Sequence, residues 1–70
     1  MKYAIVIEKA ENNYAAYAPD VPGCVATAQT IEEVKGEMKE ALEFHFEGLR
    51  SDDDPIPQPT SLSDYVELDI

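Results

Sequence analysis

The sequence predicts an α+β domain with the element order β-β-β-α-β: one helix packed on a mainly antiparallel sheet. Three observations carry this prediction. Tyr3, Ile5 and Ile7 recur with the period of two that marks a strand. Ile31, Val34, Met38, Ala41, Leu42, His45 and Leu49 fall in one stripe of a 3.6-residue helix. Between these two patterns lies a corner, Pro19-Asp20-Val21-Pro22-Gly23-Cys24, that neither a strand nor a helix can run through.

The first strand spans Lys2 to Lys9, with β-branched residues in its middle. Ala10-Glu11-Asn12-Asn13 is a hairpin loop, because Asn tolerates the left-handed region. Tyr14 to Ala18 returns as the second strand, and its alanines imply a closely packed neighbour. In the corner, Pro19 and Pro22 set their own φ and push Ala18 and Val21 toward extended geometry. Val21-Pro22-Gly23 suits a type II turn with Pro22 second and Gly23 third, so Gly23 should hold a positive φ. Pro19, Asp20, Pro22 and Gly23 are therefore the residues of a structural turn. Cys24 to Ala28 is a short third strand, with Cys24, Ala26 and Ala28 on one face.

Thr30-Ile31-Glu32-Glu33 is a capping box that starts the helix, and its two carboxylates suit the positive end of the helix dipole. The helix should run from Ile31 to about Leu49, ended by Gly48 and the run Ser51-Asp52-Asp53-Asp54. Phe46 borders the apolar stripe, Phe44 lies further round, and Glu33, Glu40, Glu43 and Glu47 occupy the far side. Pro55-Ile56-Pro57-Gln58-Pro59 follows an extended, polyproline-like path. Tyr65 to Ile70 alternates again, with Val66, Leu68 and Ile70 on one face, and is expected to return to the sheet as a last strand.

The 70 residues make one domain, residues 1–70. A chain this short buries only about 60% of the surface that its unfolded form exposes. One cysteine permits no internal disulfide, and one histidine without a neighbouring cysteine gives no zinc spacing. Association with other copies is the remaining source of stability, so a homo-oligomer is expected. Asp and Glu number 15 against 5 Lys and Arg, a net charge of −10. That balance excludes the basic footprint of a nucleic-acid binder and favours basic partners. No signal peptide pattern and no long apolar run is present, so a soluble, cytoplasmic protein that does not touch membranes is expected.

Catalytic candidates are few. Cys24 is the one strong nucleophile, and a lone cysteine usually serves as a small buried hydrophobe. His45 lies on the apolar stripe, where a histidine packs more often than it acts as a base. Asp52, Asp53 and Asp54 are consecutive, so their side chains diverge instead of converging on an ion. No glycine-rich phosphate loop is present. The residues alone thus describe a small acidic interaction domain that is not an enzyme and needs no cofactor or metal.

Taken together, several pieces of the chain resemble the HicB-type antitoxin family. They are Tyr3 to Glu8, Tyr14 to Ala18, the corner Pro19 to Cys24, Thr30-Ile31-Glu32-Glu33, Lys39-Glu40-Ala41-Leu42 and Ile56-Pro57-Gln58-Pro59. The corner followed six residues later by T-x-E-E is the most specific combination. The resemblance implies a partial ribonuclease-H-like fold that lacks the catalytic carboxylates. It also implies a partner: a small basic toxin similar to a double-stranded-RNA-binding domain, which cuts messenger RNA with a histidine. Many members of that family add a C-terminal DNA-binding module, and this chain ends at Ile70 without one, so autorepression by this chain is not expected. Ala28-Gln29 and Val34 depart from the residues common in that family and leave the strand-cap-helix logic intact.

The leading functional expectation is an antitoxin-like domain whose carboxylates Glu33, Glu40, Glu43, Glu47, Asp52, Asp53 and Asp54 bind a cationic toxin. Phe44 and Phe46 are the candidates for an oligomer interface. The alternative is a homo-oligomeric structural or regulatory module with no toxin partner, and a hydrolytic or thiol enzyme ranks third.

Overall fold

The computed structural model describes residues 1–70. Three strands form one antiparallel sheet in the order β1-β2-β3: β1 (Val6–Lys9), β2 (Tyr14–Tyr17) and β3 (Val25–Ala28). A single helix, α1 (Ile31–Ser51), crosses one face of that sheet. The architecture is the α+β arrangement that the two periodicities predict.

The register explains how residues with such small side chains build a core. Ile7 lies opposite Ala16, and Ala16 lies opposite Ala26, so one row across the sheet is mostly alanine. Small side chains let the helix approach, and the buried set is Ala16, Ala18, Val21, Cys24, Val34 and Met38. Val34 and Met38 stand on the same side of α1, four residues apart, and are the only two helix residues fully withdrawn from water. The sheet's other face carries the row Val6, Tyr17 and Val25, of which Tyr17 and Val25 are exposed.

The corner does more than turn the chain. The Val21 N–H donates to the Ala18 carbonyl at 3.1 Å, and the Cys24 N–H donates to the Val21 carbonyl at 3.2 Å. Two consecutive turns thus share Val21, whose side chain is driven into the core at 1% exposure. Gly23 has φ +86°, the value a type II turn requires at its third position.

Helix α1 begins as expected. Thr30 is the N-cap, and its Oγ1 accepts from the Glu33 N–H at 3.1 Å. Its end differs. Gly48 lies inside the helix, which continues to Ser51. The Asp54 N–H donates to the Leu49 carbonyl and the Asp53 N–H to the Arg50 carbonyl, the paired bonds of a Schellman motif. Asp53 takes the left-handed position there, φ +58°, which glycine more often fills.

Three other expectations are corrected. The first strand begins at Val6, not Lys2, because β2 ends at Tyr17 and the corner leaves nothing opposite Lys2–Ile5. His45 is exposed instead of packed, and Ile31 is 46% exposed. A 21-residue helix is about 31 Å long, whereas four-residue strands span about 13 Å, so the ends of α1 overhang the sheet. The final strand, Tyr65–Ile70, does not pair: these residues join no sheet and all are exposed.

Candidate functional site

The carboxylates singled out by the sequence all reach solvent. Glu33, Glu40, Glu43 and Glu47 are exposed on the helix, and Asp52, Asp53 and Asp54 are exposed just beyond it. They do not form one compact patch. Glu33 sits in the first helical turn, about 21 Å along the helix from Glu47. Glu43 and Glu47 share one surface with Phe46 and Arg50. Asp52 lies round the helix end, in a depression with Gly23, Val25, Phe44 and His45. The result is a long acidic strip with its back to Val34 and Met38. No group of three or more His, Cys, Asp or Glu side chains is arranged to hold a metal ion.

The two phenylalanines part company. The Phe46 ring packs on the Tyr3 ring with centroids 5.1 Å apart, so it is partly buried against the chain's own core. Phe44 is 72% exposed, beside Val25 at 66%.

Cys24 and His45 do meet at the margin of one depression. No hydrogen bond joins them. Cys24 is 6% exposed, and burial pushes its thiol pKa up, which keeps it protonated and a poor nucleophile.

Sequence reasoning missed the tether built on Asp20. One carboxylate accepts four hydrogen bonds: the Thr60 N–H at 2.9 Å, the Thr60 hydroxyl at 3.1 Å, the Ser61 N–H at 2.8 Å and the Ser61 hydroxyl at 2.7 Å. The Ser61 backbone and side-chain bonds are the main cause that holds the Asp20 pKa below its ordinary value, with Thr60 adding to them against slight desolvation. The Tyr3 hydroxyl adds a second tie by donating to the Pro57 carbonyl at 2.6 Å. The chain after the helix is thereby bound to the corner and to the segment that leads into β1. One signal was available: an aspartate in the middle of a turn whose own bonds do not use its carboxylate.

A groove opens between Met1–Ile5 and one flank of α1. Tyr3, Ile5, Met38, Leu42, Phe46 and Ile56 form its apolar walls, and its volume is about 580 Å³. Lys35, Lys39 and Arg50 stand around it, with Glu43 the one acid.

A small sheet under one helix, an acidic outer strip and a tethered C-terminal segment define a two-layer α+β domain with its charge turned outward. The chain belongs to the HicB-like antitoxin family: the family model described as "HicB_like antitoxin of bacterial toxin-antitoxin system" matches residues 3–69. An uncharacterized 14.9 kDa protein from the rep-hol intergenic region of Haemophilus phage HP1 is 39% identical over 66 residues, covering 94% of this chain and 50% of that one. This chain therefore spans half the length of the phage relative. A UPF0150 protein of Archaeoglobus fulgidus is 40% identical over 55 residues, 77% of this chain and 80% of that one. Another, from Helicobacter pylori, is 42% identical over 48 residues, 69% of this chain and 67% of that one. No solved structure matches the chain. No helix is long and apolar enough to cross a membrane.

Proposed function

We propose that this chain is the antitoxin of a toxin–antitoxin pair, and that it neutralises a small basic HicA-type toxin, one that cleaves messenger RNA, through the acidic strip of α1. Family membership supports the antitoxin role in general. The placement of the carboxylates is the observation that carries the partner's chemistry. Glu40 and Glu43, and Glu43 and Glu47, are like-charged neighbours that cost a helix a few tenths of a kcal/mol per pair. Asp52, Asp53 and Asp54 crowd the negative end of the helix dipole, where cations are favoured and acids are not. A cationic partner reverses the sign of both terms, because the strip then offers it the charge that an RNA backbone would.

The reading is regulatory rather than catalytic, and it includes association of copies, with Phe44 or Phe46 at the contact. The test changes Glu40, Glu43 and Glu47 together to Gln and follows binding to the product of the adjacent gene at two salt concentrations. Slower association and a flatter salt response are expected, since exposed interface charges act mainly on the on-rate. Unchanged rates and an unchanged salt response would remove the strip as the contact surface. Absence of a short basic reading frame beside the gene would favour the module without a toxin.

A further inference from the structure

Two parts of this chain have the shape of strands and no partner. The first is Met1–Ala4, which leads into the edge strand β1 and makes no backbone–backbone hydrogen bond. The second is the tail. Leu62–Ile70 also makes no backbone–backbone hydrogen bond, and its apolar side is bare: Val66 is 86%, Leu68 71% and Ile70 111% exposed. A strand edge and an alternating strand left open in one small protein are a template and its complement.

We propose that two copies exchange these tails, Tyr65–Ile70 of one copy pairing with the Met1–Val6 edge of the other and setting Val66, Leu68 and Ile70 into the groove beside Tyr3. The lengths agree, since six extended residues span about 20 Å on either side. The surfaces agree, since the groove is walled by Tyr3, Ile5, Met38, Leu42 and Phe46. The charges agree as well. Lys35, Lys39 and Arg50 at the groove are three of the chain's five basic residues, while the tail carries Asp64, Glu67 and Asp69 and no cation. The occupant is a second copy because of where the chain's own tail is led. Thr60 and Ser61 are tied to Asp20, Ser61–Tyr65 line a separate depression with Ile5, Val6 and Ile7, and Val66, Leu68 and Ile70 stay exposed outside the groove. The exchange stands independently of any toxin.

The test uses the 70-residue chain alone. Light scattering at micromolar concentration is expected to give twice the 7.8 kDa chain mass. The double variant Val66→Asp/Leu68→Asp should give the single-chain mass with unchanged helix circular dichroism, because both side chains are largely exposed within their own copy. Mixing isotope-labelled and unlabelled chains should show nuclear Overhauser contacts from Leu68 methyls to the Tyr3 and Phe46 rings across copies. Lys35→Glu/Lys39→Glu should weaken the dimer about tenfold, as two exposed ion pairs imply. Adding an equal amount of Glu67→Lys/Asp69→Lys chain should restore it. A single-chain mass for the unaltered protein overturns the exchange. So does a dimer indifferent to the tail variant, or Leu68 contacts confined to one copy, which would show the tail closing on its own groove.

Discussion

At Gly23 the backbone sits at φ +86°, and a Cβ built there meets no atom within 4 Å. The cost of a side chain is therefore backbone strain alone. Gly23→Val should weaken folding by more than about 1 kcal/mol, and Gly23→Ala by nearly as much, since the space around the site is open. Equal melting curves for both variants and the parent would show that the turn relaxes. Asp53 holds the left-handed position at the helix end, so Asp53→Gly should stabilise the chain by about 0.5–1 kcal/mol by denaturant titration. That gain would separate the fold's interest in this position from any interest a partner has in its charge. Asp20 behaves differently again. Its folded pKa is lowered from an ordinary 3.8, so its contribution is full above that value and is lost as pH falls through the lower folded value. Asp20→Ala should be less stable than the parent at pH 7, and the two should converge in strong acid. A gap that persists at pH 2 would mean the carboxylate is not what holds Thr60 and Ser61.

The helix depends on two residues more than its seven-residue stripe suggests. Met38→Ala should cost about 2–5 kcal/mol, because Met38 is 1% exposed and packs among buried neighbours. His45→Ala should stay within about 0.5 kcal/mol, because His45 is exposed. Comparable losses at the two positions would mean that the second half of α1 is covered in solution, as it is when copies or a partner pack there. The wheel placed both residues on one stripe correctly. Periodicity reports direction around a helix and nothing about how far the sheet beneath it extends.

For the whole molecule, a net charge of −10 on 70 residues acts against compactness and for encounter with cations. Melting temperature should rise with salt between about 0.01 and 0.15 M, as screening shortens the reach of self-repulsion. A melting temperature independent of salt would show that the charges are already separated well enough to ignore each other. The same charge that burdens the free chain is what a basic partner would neutralise, so stability and binding should respond to salt in opposite directions.

Local chemistry was legible in the sequence wherever a residue's own geometry was sufficient. Pro22-Gly23 dictated the type II turn, Thr30 the helix start, and the alternation of Cys24, Ala26 and Ala28 the inner face of β3. These outcomes depend on φ preferences, one side-chain hydrogen bond and period two, all contained in a few neighbouring residues. Tertiary structure alone decided which patterns found a partner. Tyr65–Ile70 has the alternation of a strand and Lys2–Ile5 has it too, yet neither enters the sheet. A strand exists only when another edge lies alongside it, and that depends on where Asp20 ties the chain 40 residues later. The acidic strip divides the same way: composition announced the charge, and the folded chain put Glu43 and Glu47 on one surface and Asp52 in a separate depression.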